Sequence, residues 1–208
     1  MSTLINQIEK IMTDNPGKIY SINDFYYLGT KNTIKSIFYR LNKENKITRL
    51  IDGLYTKPKY SKVLKEYSYP NPNDVALKIA DKFSWSIAPT GETALNFVGL
   101  STQISNEYIY ISDGEYREYE YRDIKIIFKH TTNRTITNYS KKFSILIQSI
   151  KALGNGNVGQ SEINKLSLYA YDIKDEINNN LLKLPFWIQE VLKRLKENES
   201  DGTVRNNK

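Results

Sequence analysis

The sequence predicts an α+β chain in two parts: a compact N-terminal block of helices closed by a β-hairpin, then a helix-rich remainder carrying a small antiparallel sheet. Three observations predict it. Apolar residues recur at helical spacing in segment after segment of the 208 residues. Short β-rich runs flank Asp-Gly pairs at 52–53 and 113–114. The excess positive charge lies entirely before residue 66: residues 1–65 hold 12 Lys and Arg against 5 Asp and Glu, a net of +7, while residues 66–208 hold 18 of each sign. A basic block on a neutral body is the footprint of a polyanion-binding head, and it equally fits an acidic protein partner or a solvated face.

Composition narrows the classes further. Apolar residues make up 39% of the chain and aromatics 12%, with 16 tyrosines, which argues for folded structure rather than disorder. There is no Cys and a single His, so disulfide scaffolds, cysteine zinc sites and thiol chemistry are excluded, and a reducing compartment fits. The first residues lack the basic-then-apolar order of a signal peptide, and no apolar run approaches the roughly 18 residues needed to span a bilayer. The expectation is a soluble, cytoplasmic protein with no membrane partner.

Residues 3–13 place Leu4, Ile5, Ile8, Ile11 and Met12 at helical spacing, and Asn15-Pro16-Gly17 ends the run. After a short extended link at 18–20, Ser21 caps an expected second helix over 22–28 with Ile22, Phe25 and Leu28 inward, closed by Gly29. A third helix from residue 30 or 31 carries Ile34, Ile37, Phe38 and Leu41 as one apolar stripe. At about 100° per residue the opposite face holds Asn32, Ser36, Tyr39 and Lys43, flanked by Lys35 and Arg40.

Two helices joined by a glycine turn, the second polar on its outer face, are the parts of a helix-turn-helix. Runs at 46–51 and 54–59 around Asp52-Gly53 predict a hairpin directly after it, the wing of a winged helix, with Lys46, Arg49, Lys57 and Lys59 placed to reach a phosphate backbone or minor groove. The expected DNA-contacting set is therefore Lys31, Asn32, Lys35, Ser36, Tyr39, Arg40, Lys43, Lys46, Arg49, Lys57 and Lys59. A small helical domain whose hairpin makes only protein contacts would share this pattern, and Tyr39 fits packing against the wing as well as contact with a base or sugar.

Residues 60–72 lose periodicity and end in two prolines, so the expected domains are 1–65, a winged helix-turn-helix, and 66–197, α+β. Asn73 is the expected cap of a helix with Val75, Ala76, Ile79, Ala80 and Phe83 inward. A strand at 85–88, a turn at Pro89-Thr90-Gly91, a helix on Ala94, Leu95, Phe97 and Val98, and strands at 108–112, 117–121 and 124–129 follow. From residue 139 the pattern is helical, with Phe143, Leu146, Ile147 and Ile150 as one stripe, helices over 163–168 and 173–184, and a last helix initiated by Pro185. The polar end, 198–208, is expected to be a disordered tail.

No active site assembles. His130 ends a strand, has no thiol to pair with, and reads as a hydrogen-bonded structural residue. No G-x-S-x-G elbow occurs. Asp113, Glu115, Glu118 and Glu120 share one solvated hairpin face rather than a metal site. Gly154-Asn155-Gly156 follows a helix and lacks the Lys-Ser/Thr of a phosphate loop. No catalytic residue, metal or cofactor is expected, and the chain is not expected to be an enzyme.

The order and spacing of several short motifs resemble AbiEi-type antitoxins of type IV toxin-antitoxin systems. In the first domain these are Phe25, Gly29, Arg40-Leu41, residues 47–50 and Gly53-Leu54-Tyr55. In the second they are Pro89-Thr90-Gly91, Ala94, Asn96, Gly99-Leu100-Ser101-Thr102-Gln103, Ser112-Asp113-Gly114 and His130-Thr131-Thr132, so the likeness runs from about residue 5 to about residue 195. One departure is Asp52, where that family commonly has a basic residue before the glycine. The resemblance implies a repressor that binds inverted repeats of double-stranded DNA in its own promoter. It also implies an antitoxin that neutralises a nucleotidyltransferase toxin without forming a stable complex with it, in abortive infection against phage. No long exposed heptad argues for a constitutive dimer, so a monomer binding cooperatively on DNA is expected. A winged-helix regulator whose second domain senses a small ligand is the competing expectation.

Overall fold

The computed structural model describes residues 3–103, 105–132, 136 and 138–205, with side chains as far as residue 198. The chain is α+β, with small antiparallel sheets among its helices. It divides into two compact units, residues 1–85 with 119–126, and residues 86–118 with 127–208.

In the first unit α1 (Leu4–Asp14) is followed by β1 (Ile19–Ser21), a 3₁₀ turn (Ile22–Phe25), α2 (Lys31–Lys43), β2 (Thr48–Ile51) and β3 (Leu54–Thr56). The strands form an antiparallel sheet in the order β1-β3-β2, with Tyr20 opposite Tyr55 and Thr48 opposite Thr56. Ile8, Met12, Ile34, Phe38 and Leu41 are wholly buried, so the stripes read from sequence on α1 and α2 meet in one core. Phe38 sits at its centre, its ring centroid 5.2 Å from Phe25 and 5.0 Å from Tyr55. Thr30 caps α2 by accepting from the Thr33 amide at 3.3 Å.

The second helix expected over 22–28 shrinks to its first turn. The Asp24 carboxylate takes the Ser21 amide and hydroxyl at 2.9 and 3.0 Å, and the next amides bond three residues back, Tyr26 to Asn23 and Leu28 to Phe25. Seven residues are too few to propagate an α-helix, and the tighter pattern satisfies the same donors.

Residues 60–68, expected to be an irregular link, together with Lys59, expected to end the hairpin around Asp52-Gly53, form a second hairpin of β4 (Lys59–Ser61) and β5 (Glu66–Ser68), in register at Tyr60 and Tyr67. Then α3 (Pro72–Phe83) begins two residues earlier than expected. Its cap is Asn71 rather than Asn73: Asn71 Oδ1 accepts from the Asp74 amide at 2.9 Å, and Pro72 fills the first helical position, where no amide donor is needed. Ser84, at φ 55°, ends it. The boundary expected at 65 falls instead after α3, because α3 packs on β1 and Lys78 Nζ lies 2.9 Å from Asp24 Oδ2.

The second unit contains β6 (Ile87–Pro89), α4 (Glu92–Phe97), β7 (Glu107–Ser112), and the open end of the hairpin β8 (Arg117–Tyr121) and β9 (Ile124–His130), in a sheet ordered β6-β7-β9-β8. The hairpin end, 119–126, groups with the first unit, where Tyr121 donates to the Pro70 carbonyl at 2.7 Å. Among the described residues four α-helices follow: α5 (Lys141–Leu153), α6 (Gln160–Ala170), α7 (Lys174–Asn180) and α8 (Phe186–Arg205). Every residue of α5 from 143 to 150 is buried, Ser144, Gln148 and Ser149 included, so the single apolar stripe expected there is a helix enclosed on all sides. The last helix continues through residue 205, past the start of the expected tail; 206–208 lie outside the described residues.

Candidate nucleic-acid interface

The first unit builds its most chemically distinctive surface from the inside out. Burying Ile34, Phe38 and Leu41 against Phe25 and Met12 sets the rotation of α2, and 3.6 residues per turn then direct the other face to solvent. Lys31, Asn32, Lys35, Ser36, Tyr39, Arg40 and Lys43 are all exposed. Tyr39 keeps 68% of its surface in solvent. The N-terminal half of α2 also walls a shallow groove of about 620 Å³ against the start of α1, lined by Leu4, Ile5, Asn32, Ser36, Ile37 and Arg40.

The eleven residues singled out from sequence divide electrostatically. Among the described residues Lys31, Lys35, Lys43 and Lys59 make no ion pair. The other four cations are engaged inside the protein. Arg40 Nε donates to Glu44 Oε1 at 2.8 Å, which raises its pKa and lowers that of Glu44. Lys46 Nζ is 2.9 Å from Glu9 Oε2 and 3.4 Å from Glu44 Oε2, and the bond to Glu9 is the main cause holding its pKa up. Arg49 pairs with Asp52, and its amide donates to Asn42 Oδ1 at 2.9 Å. Lys57 Nζ donates to the Lys46 carbonyl at 2.7 Å.

The β2–β3 turn is tight and occupied. Gly53 takes φ +76°, Ile22 donates to its carbonyl at 3.2 Å, and Lys82 Nζ donates to the Asp52 carbonyl at 3.3 Å. Lys82 on α3 was not among the residues expected at this surface, and neither were Lys62 and Lys65 on the β4–β5 turn, both exposed. Lys82 is brought there by a packing contact that no local pattern encodes. Lys62 and Lys65 follow from a hairpin whose turn carries no Asn-Gly or Asp-Gly signal.

Among its described residues the second unit assembles no comparable chemistry. His130 Nδ1 is 2.8 Å from the Gly114 carbonyl, a structural bond at a strand end. Asp113 accepts from the Ser86 amide at 2.9 Å, Glu115 pairs with Arg117 at 3.2 Å, and Glu118 and Glu120 are exposed. Among the described residues no group of three or more His, Cys, Asp or Glu is placed to hold a metal ion, and no helix is long and apolar enough to cross a membrane. A shallow cleft of about 380 Å³ lies among Gly156, Val158, Phe186, Trp187 and Arg194, where Arg194 Nη1 donates to the Val158 carbonyl at 2.8 Å.

A family model described as a family of unknown function (DUF6088) matches residues 6–178. No curated protein and no solved structure matches the chain.

Proposed function

The chain belongs to DUF6088, a family of unknown function, and we propose that it is a DNA-binding antitoxin that represses its own operon. The observation that carries the DNA-binding half is the outward face of α2, where Asn32, Ser36 and Tyr39 stand exposed between the unpaired cations Lys31, Lys35 and Lys43. The order helix, strand, short helical turn, helix and two strands, with the sheet ordered β1-β3-β2, supports reading the block as a winged helix. A helix with its side chains is about 10–12 Å across and matches a major groove about 12 Å wide, so α2 is the element that enters it. Asn32, Ser36 and Tyr39 meet base edges; Lys31, Lys35 and Lys43 meet phosphates. Arg40 and Arg49 reach phosphate only by exchanging the carboxylates of Glu44 and Asp52 for it, and they contribute less than their charge suggests.

The antitoxin half rests on the likeness of both domains to AbiEi-type antitoxins. In this reading the second unit neutralises a nucleotidyltransferase toxin without a stable complex, and the protein acts on inverted repeats upstream of its own gene, as a monomer in solution that binds cooperatively on DNA. The competing reading, a winged-helix regulator with a ligand-sensing second unit, draws on the cleft at Trp187 and Arg194.

The test is a titration of the purified protein against its own upstream duplex and a scrambled duplex of the same length, at several salt concentrations. Preferential binding with a steep salt slope is expected. Equal or absent binding to the two duplexes removes the repressor reading. The antitoxin half is tested by co-expression with a nucleotidyltransferase encoded beside it: growth restored by the whole chain is expected, and growth arrest unrelieved by it refutes that half.

A further inference from the structure

The β4–β5 hairpin stands apart from the three-stranded sheet that precedes it, as a two-stranded ribbon paired only with itself. Nearly every residue from 59 to 68 is exposed, and at its tip Val63 and Leu64 leave 90% and 68% of their surface in water. Two neighbouring aliphatic side chains thus stand in solvent at a loop tip, where their burial would be favourable.

The ribbon is nonetheless built to hold its shape. Isolated two-stranded hairpins are marginal in water. Here Tyr60 and Tyr67 pair across the strands with ring centroids 5.2 Å apart, edge to face. The Leu64 amide donates to Ser61 Oγ at 3.2 Å, and Lys65 takes the left-handed conformation at φ 55° that closes the turn. At the root, the Gly17 amide donates to the Lys57 carbonyl at 2.7 Å.

Its charge selects among partners. Lys59, Lys62 and Lys65 stand against Glu66 alone, and the two tip lysines flank the apolar pair on either side. A basic ribbon with an apolar tip has the chemistry of a groove wedge: cations along the sides for phosphates, aliphatic groups at the end to slip between unstacked base pairs and bend the duplex. An acidic protein surface complements the lysines but offers less to a tip as small and as prominent as Val63-Leu64.

We propose that the β4–β5 ribbon is a second DNA-contacting element, entering a minor groove with Lys62 and Lys65 on phosphates and Val63 and Leu64 as a wedge that bends the duplex. This rests on the DNA-binding reading of α2 and adds a separate site, bend and set of residues to it.

The experiment uses the full chain and its upstream duplex carrying a fluorophore at each end, so that affinity, salt slope and end-to-end distance are read together. Three variants are compared with the wild type: Val63→Ser with Leu64→Ser, Lys62→Ala with Lys65→Ala, and Lys35→Ala with Lys43→Ala on α2. All six positions are exposed, so the fold persists, and circular dichroism checks it. Wild type is expected to shorten the end-to-end distance. The Val63/Leu64 variant loses that shortening with its salt slope unchanged, and the Lys62/Lys65 variant loses about 1.8 from the slope, as two phosphate contacts require. Ribbon variants that bind and bend DNA as the wild type does, while the α2 variant weakens binding, overturn the ribbon proposal and leave the DNA-binding reading standing. Wild-type protein that binds no duplex overturns both.

Discussion

Arg40 Nε and Glu44 Oε1 are 2.8 Å apart, Glu44 capping the C-terminal end of α2, so the one arginine of that helix is already bonded to a carboxylate. Both groups are exposed, and such a pair adds little to stability. Its consequence lies in recognition. Glu44→Gln releases Arg40, and weakens the hold on Lys46, without changing the helix. Affinity for duplex DNA is expected to rise and the salt slope to steepen by about one for each cation freed. Fluorescence anisotropy at several salt concentrations measures both, and an unchanged slope would mean that neither cation faces phosphate.

The same pair sets a titration. The Arg40 hydrogen bond, with a lesser one from Lys46, holds the Glu44 carboxyl below its ordinary value of 4.5. A depressed folded-state value means the pairing is complete above the unfolded pKa and is lost as pH falls through the folded one. Carboxylate NMR should find Glu44 among the last glutamates to protonate on acidification. Arg40→Gln should move its midpoint back up.

Tyr169 contributes on the alkaline side. Burial, with a smaller push from Asp172, raises its phenol from 10.0 to about 12. Between those values the folded chain holds a proton that the unfolded chain has released, so stability falls as pH rises across that window. Tyr169→Phe should flatten this part of the pH–stability curve in denaturant unfolding. A curve unchanged by the substitution would show that the phenol titrates as it does in water.

Phe38 tests the core of the first unit. It is fully buried, with Phe25 and Tyr55 against its ring. Phe38→Ala removes both aromatic contacts and leaves a cavity, so a loss of about 3–5 kcal/mol is expected. Equilibrium unfolding in urea reads it. A loss under about 1 kcal/mol would mean that the α2 face is not oriented by this core.

Asn71 tests the start of α3. Its Oδ1 accepts from the Asp74 amide at 2.9 Å and its Nδ2 donates to Asp74 Oδ2 at 2.7 Å. Asn71→Ala should cost about 1 kcal/mol. The same unfolding measurement checks it, with Asn71→Ser expected to recover most of the loss because Ser caps comparably.

Much of this molecule was legible before any tertiary structure. The stripes of α1 and α2 were legible because the helical period converts spacing into direction. The Asp52-Gly53 turn was legible because few residues accept its backbone. What escaped depended on partners far along the chain. The hairpin at 59–68 hid because Lys62 to Lys65 carry no turn signature, and its strands are legible only once Tyr60 is seen opposite Tyr67. Helix α5 showed one stripe of Phe143, Leu146, Ile147 and Ile150, yet Ser144, Gln148 and Ser149 are buried as well. Small polar residues satisfied by backbone, as Ser149 is by the Ala94 and Ile145 carbonyls at 3.0 and 2.8 Å, look solvent-facing in a pattern.

The sequence by itself determined which residues α2 turns outward and where the excess charge resides, since both follow from local order along the chain. Beyond the local pairs of Arg40 with Glu44 and Arg49 with Asp52, tertiary structure decided which of the charges are engaged. Lys46 meets Glu9 from 37 positions away and Lys78 meets Asp24 from 54, distances over which no periodicity speaks. The physical reason is that ion pairing depends on separation in space, and the fold brings the charged ends of these side chains within 3 Å of one another only after α1, the sheet and α3 have packed. That packing spends Lys46 on Glu9, and it leaves Lys31, Lys35 and Lys43 facing solvent.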